Sequence, residues 1–376
     1  MSSPVLDTVR FARGWLRPPS DLRSRSIMVP VDGDDDAVPA TLMERTGREP
    51  SDQGDPPVGW VVLHGITRPG RYHPALLRFA RSLASTGARV LIPEISEWTR
   101  MDMAPQRAQT IIRSAVDHLA SAPETAPGGV GLVGFSFGAP QALYAAADPG
   151  FTTRIRGVVG WGGYADLSRT VRFQLTGEFE WEGQSYHLEP DPYGRWVVGA
   201  NILPLVPGFD ETTPVADALR ALATEAGDRQ IPASDSSFDS LITQMRVGLP
   251  RRFRPLFDLF APPSGRSPSN DQANRLVELM TPAARRELPL VDPLRMIEGV
   301  RVPVRLLHSR SDQLIPFTET LAMGDALSRR APDMEVNVTG LFGHSGKGGA
   351  GGAVDRARES LGFLRALTSV FEIGRR

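Results

Sequence analysis

GGVGLVGFSFGAPQALYAAA, residues 128–147, is a long stretch without a charged side chain, and its reading decides the fold. Its length suits a membrane span. It divides instead into a short apolar run (128–135), a glycine-rich turn, and an alanine-rich helix (140–147). A buried strand followed by a buried helix has the same average hydropathy as a span. The turn carries Gly134-Phe135-Ser136-Phe137-Gly138, a G-x-S-x-G. Alone that motif is weak. Between a strand and a helix it is where a serine hydroxyl is presented as a nucleophile on a strained turn. The glycines are needed because the turn is tight and a Cβ at either flank would clash. Pro140 falls in the first helical turn, where its missing N–H is harmless. The plainer reading, a strand-to-helix turn with an N-cap serine, is weakened by the neighbouring elements.

Strand and helix patterns alternate around this stretch. WVVLH (60–64) reads as a strand, 73–87 as an amphipathic helix ending on glycine, 88–94 as a strand and 104–121 as a helix. RIRGVVGWGG (154–163) is the next strand. The alternation resumes with a strand at 302–309, a helix near 317–330, a strand at 334–340 and a last helix near 353–371. Such alternation implies a mostly parallel sheet covered by helices on both faces, an α/β fold. Upstream, the first twenty residues read as a short amphipathic helix and lack the apolar core of a secretory signal. Residues 25–31 and 38–44 read as two strands around an acidic turn, and 45–57 as a polar linker. Residues 166–295 break the alternation with helical stretches at 217–226 and 270–280 and Pro-rich breaks. The expected organisation is an N-terminal helix and hairpin over 1–57, a core over 58–165 and 296–376, and a helical cap inserted at 166–295.

Leu63-His64-Gly65-Ile66 ends the strand at 60–64. Here the chain resembles the α/β-hydrolase family, over most of residues 58–165 and 300–371. In that family a His-Gly after the third strand begins the oxyanion loop. The resemblance implies that the backbone N–H groups of Ile66 and Phe137 stabilise an oxyanion, each worth roughly 3 kcal/mol in the transition state. It implies a structural role for His64. Leu307-His308-Ser309-Arg310-Ser311-Asp312-Gln313-Leu314-Ile315-Pro316 is similar to the family's H-G-x-x-D-x-x-(V/I)-P signature, with Ser309 in place of glycine. That makes Asp312 the expected acid that orients the catalytic histidine. Its plainer reading is an N-cap before the helix at 317, and Asp166 is the rival acid. Gly343-His344-Ser345-Gly346 lies between the last strand and the last helix, where the family's catalytic histidine sits, and the order Ser136, Asp312, His344 matches the chain order of the fold. His73, His118 and His187 read as surface or helix residues.

Composition excludes other chemistries. Apolar residues make up 41% and charged residues 23%, with net charge −1 and no cysteine. A packed core is allowed. Thiolate catalysis, disulfides and thiolate metal sites are not, and a cysteine-free chain fits a cytoplasmic enzyme. No basic field is available for nucleic acid. No His/Asp/Glu spacing suggests a metal. GKGGAG (346–351) matches G-x-G-x-x-G, but no second strand follows to complete a dinucleotide fold. The expected function is cofactor-free hydrolysis of a small carboxylic ester or related acyl compound through an acyl-enzyme. A peptidase, amidase or thioesterase on the same triad stands as the alternative, as does a non-catalytic ligand-binding relative. Serine at the elbow speaks against dehalogenation, which uses a carboxylate there. The eight cap aromatics Phe173, Phe179, Trp181, Tyr186, Trp196, Phe253, Phe257 and Phe260 are expected to be mostly cap core, with some lining an acyl pocket. Oligomeric state is not legible.

Overall fold

A computed structural model describes residues 3–33, 37–46, 56–264, 266, 268–331, 333–340 and 353–374, with only the backbone at 210 and 353–358. The chain begins with α1 (Pro4–Leu16), then the hairpin β1 (Leu22–Pro30) and β2 (Ala37–Arg45). It continues through β3 (Gly59–Leu63), α2 (Pro74–Ala84), β4 (Arg89–Pro93), the single turn α3 (Ser96–Thr99) and α4 (Pro105–Ala120). Next come β5 (Val130–Phe135), α5 (Gly138–Ala147) and β6 (Ile155–Trp161). After β6 lie α6 (Leu167–Thr176), β7 (Glu178–Trp181), β8 (Gln184–His187), α7 (Pro192–Ile202), α8 (Thr213–Arg229), α9 (Asp239–Gly248), α10 (Arg254–Phe260) and α11 (Asn270–Glu287). The chain returns with β9 (Val304–Ser309), α12 (Phe317–Ser328), β10 (Met334–Thr339) and α13 (Ala353–Ile373).

Among the described residues, eight strands form one sheet in the order β1-β2-β4-β3-β5-β6-β9-β10. Only β2 runs against its neighbours, pairing antiparallel with β1 and β4. The central strands are buried along nearly their whole length, because helices cover both faces. Strand alternation sorts their side chains. Trp60 and Val62 face a cluster with Phe11, Phe79 and Phe371 under α1, α2 and α13. Val61 and Leu63 face the opposite cluster, with Ile111, Ile112 and Leu143 from α4 and α5. The stretch at 128–147 is a strand and a helix, and among the described residues no helix is long and apolar enough to cross a membrane.

The order of pairing fixes where a ligand can sit. From β3 the chain steps outward to β4, then crosses back to β5 on the other side of β3. The carboxyl ends of β3 and β5 therefore flank a topological switch point, the place where open α/β sheets bind ligands. The chain between β6 and β9 is mostly helical, and it also holds one element that its helical pattern did not announce. β7 and β8 pair as an antiparallel hairpin around Glu182 and Gly183, both in the left-handed region at φ 49° and 76°. Left-handed conformation at both central residues suits a tight hairpin turn.

Candidate active site

Ser136 follows β5 and precedes α5, with φ at 53°. A left-handed backbone is strained for a residue with a Cβ and persists only where its surroundings enforce it. Here the enforcement is local. The Ser136 N–H donates to the Trp161 carbonyl at 2.8 Å, extending the β5–β6 ladder, and its own carbonyl accepts from Ala139 N–H at 3.0 Å. A Cβ at Gly134 would lie 2.2 Å from the Gly138 oxygen, so strand and helix close on each other only around glycine. A Cβ at Gly65 would lie 3.1 Å from Ser136 Cβ and 3.6 Å from its Oγ, which brings the loop after β3 against the serine.

Ile66 and Phe137 flank that serine from the two strands of the switch point. Among the described residues neither backbone N–H donates a hydrogen bond. Phe137 is the N-cap of α5, where orphan N–H groups and the helix dipole favour negative charge. Its ring packs edge-on to Trp98 and stacks near Tyr164. His64 is fully engaged in structure. Its Nε2 accepts from Ile95 N–H at 3.2 Å and its Nδ1–H donates to the Gly65 carbonyl at 2.7 Å. Burial pulls its pKa from 6.5 down to about 4, so the ring is neutral. A base must offer a free nitrogen, and His64 has none.

Asp312 is buried in the loop between β9 and α12. Its Oδ1 accepts from Leu314 N–H at 2.8 Å and Ile315 N–H at 3.1 Å, and His308 Nε2 stands 3.4 Å from Oδ2. It does not cap α12, whose N-cap is Pro316. The buried His308 ring spans this loop, with Nε2 3.0 Å from the Ile315 carbonyl and Nδ1 2.6 Å from Thr320 Oγ1. Ser309, standing where the signature has glycine, turns its Oγ to Ser311, and the turn closes by Asp312 N–H to the Ser309 carbonyl. Asp166 has other duties. One oxygen caps α6 through Arg169 N–H at 2.9 Å, and the other pairs with Arg285 at 3.3 Å. The peptide N–H groups of Ala165 and Asp166 both bond the buried Glu319, whose carboxyl burial pushes up. His344 lies outside the described residues, as does the 346–351 glycine run.

A cavity of about 880 Å³ opens over Ser136. Gly65, Ile66 and Phe137 line it, with Gln174, Tyr193 and Val198 from the chain between β6 and β9. None of the eight aromatics singled out in that segment lines it. Trp196 packs edge-on to Phe238, and Phe179 against Phe173, Tyr186 and Phe317. Tyr193 does line the cavity and was not foreseen. The Asp191-Pro192 pair signals a helix start, yet nothing local links Tyr193 to the loop after β3. Among the described residues no group of three His, Asp or Glu side chains gathers as a metal would need.

No family model matches the chain, and no curated protein matches it. Solved structures do. The esterase Est22 is 12% identical, with 98% of this chain and 85% of that one covered, at a TM-score of 0.51. The Pyrococcus furiosus esterase Pf2001 is 12% identical over 93% of this chain and 91% of its own, at 0.48. Brefeldin A esterase, described as a bacterial homologue of human hormone-sensitive lipase, is 15% identical over 100% and 87%, at 0.46. At such identities the likeness is one of fold. A mostly parallel sheet whose order reverses beside β3, with a left-handed serine at the turn after β5, is the α/β-hydrolase fold, and the chain adopts it.

Proposed function

We propose that the chain is a serine hydrolase that cleaves a carboxylic ester or related acyl compound through an acyl-enzyme. The observation that carries this reading is Ser136 itself, a non-glycine residue at φ 53° beneath a largely apolar cavity. Strain of this kind clusters at active sites, and here it falls at a serine that lines the cavity. In the proposed mechanism Ser136 Oγ attacks the acyl carbonyl and His344 takes its proton. His344 then returns the proton to the departing alcohol, and water, activated by the same histidine, releases the acid. Asp312 holds the His344 tautomer. The N–H groups of Ile66 and Phe137 donate to the oxyanion as it forms. Each part of this machinery is a side chain or a peptide group, so the reaction needs no cofactor. The segment 166–295 acts as a cap in this reading, supported by the cavity walls that α6 and α7 supply. The absence of cysteine supports a cytoplasmic setting.

The test is labelling with a fluorophosphonate, followed by a panel of p-nitrophenyl esters of increasing chain length. Ser136 is the expected site of labelling. Ser136→Ala is expected to abolish the label and to lower turnover by roughly a million-fold, as for a triad acting as a unit. A label that persists in the Ala variant removes Ser136 from the mechanism.

A further inference from the structure

Tyr193 stands on α7, outside the strand–helix core, yet its hydroxyl reaches into the loop after β3. It donates to the Ile66 carbonyl at 3.0 Å, with Met101 Sδ also at 3.0 Å. A hydroxyl has one proton, and a carbonyl is a much better acceptor than a thioether. Burial raises the Tyr193 pKa, so the hydroxyl keeps that proton. On the other side of Ile66, the Gly65 carbonyl accepts from His64. The two peptide planes that meet at Ile66 are thus each held by a side chain, one by the buried His64 and the other by the partly buried Tyr193. One clamp belongs to the core and the other to the chain between β6 and β9.

The Ile66 N–H belongs to the Gly65–Ile66 peptide, and a trans peptide points its N–H away from its carbonyl. The Gly65 carbonyl, held by His64, orients that N–H directly, and the Ile66 carbonyl, held by Tyr193 on the next peptide, constrains it through φ and ψ of Ile66. The same inserted segment grips the neighbouring loop after β4. Asn201 Nδ2 and Arg220 Nη1 both donate to the Met101 carbonyl at 2.8 Å, and Asn201 Oδ1 accepts from Met103 N–H at 3.0 Å. Met101 is itself left-handed, at φ 63°. Arg68, two residues beyond Ile66, pairs with Asp228 of α8 at 2.8 Å.

We infer that Tyr193 is a positioning residue for the oxyanion hole, aligning the Ile66 N–H through the Ile66 carbonyl, so that docking of α7 completes the catalytic geometry as well as walling the cavity. This rests on the serine-hydrolase reading above. The test is Tyr193→Phe in the full chain, which keeps the ring and removes the hydroxyl. Because deleting an oxyanion donor costs 10²–10³-fold in turnover and this change only loosens one, kcat is expected to fall roughly tenfold. KM for a short p-nitrophenyl ester is expected to stay near the wild-type value. Inhibition by a trifluoromethyl ketone, whose serine adduct fills the oxyanion site, is expected to weaken by the same factor as kcat. All measurements are made well below each variant's melting temperature, so that lost stability does not enter. An unchanged kcat overturns the proposal. So does a raised KM with unchanged kcat, which marks a pocket wall only, or a lowered kcat with undiminished ketone inhibition. Wild-type turnover in Ser136→Ala overturns this proposal and the reading beneath it together. Turnover lost in Ser136→Ala but kept in Tyr193→Phe overturns this proposal alone.

Discussion

Protonating His64 is expected to loosen the loop that carries Ile66, and the magnitude follows from its surroundings. The ring is buried, accepts from Ile95 N–H through Nε2 and donates to the Gly65 carbonyl through Nδ1. A second ring proton would turn the acceptor into a donor facing another N–H. Burial accordingly lowers the pKa from 6.5 to about 4. A depressed histidine pKa means that the unfolded chain takes up a proton before the folded one does. Stability from this group is therefore full above pH 6.5 and declines as pH falls toward 4. Below that both states are protonated and the loss is complete. At about 1.4 kcal/mol per pH unit the full loss is about 3 kcal/mol, of which about 2 kcal/mol falls between pH 7 and 4.5. His64→Gln offers the same backbone groups an acceptor and a donor without a titrating proton. Urea unfolding of both proteins at several pH values between 7 and 4.5 isolates the difference, since every other titrating group is shared. Wild type is expected to lose about 2 kcal/mol more than the glutamine variant over that range. Parallel pH profiles for the two proteins would refute the reasoning, and would mean that the ring is solvated or already charged.

Asp312→Asn is expected to lower kcat about 10⁴-fold by favouring the wrong histidine tautomer. Asp166→Asn should leave kcat near wild type, because its carboxylate caps α6 and pairs with Arg285. The reverse ranking in steady-state assays would move the acid to Asp166. Trp196→Ala is expected to lower unfolding free energy by about 3–5 kcal/mol, as for a large buried aromatic. It should leave the relative preference among ester chain lengths as it was, since Trp196 packs on Phe238 and does not line the cavity.

The sequence by itself determined what is local. Period-two and helical hydrophobicity, glycine at strand ends and proline at helix starts marked the core elements within a few residues. They separated β5 from α5 inside an uncharged run and set Ser136 at the turn between them. One local signal lies inside a surrounding helical pattern that masks it: Glu182-Gly183 between GEFEW and QSYHL marks a hairpin. The tertiary structure decided what depends on groups far apart in the chain. Pairing β3 between β4 and β5 is not written in any one strand, and it alone sets the Gly65 loop against Ser136. His64 was expected to be structural from resemblance, and the Ile95 N–H supplies the physical reason. The Asp166 cap on α6 is a contact three residues long, but its pairing with Arg285 spans 119 residues and is visible only in the folded chain. Tyr193 and Ile66 are 127 residues apart, and no periodicity reports a single hydrogen bond across that distance. Hydrophobic patterning states which face of an element is buried. Which other element it is buried against is decided by packing of the whole chain at once, and that is where the cavity and its walls arise.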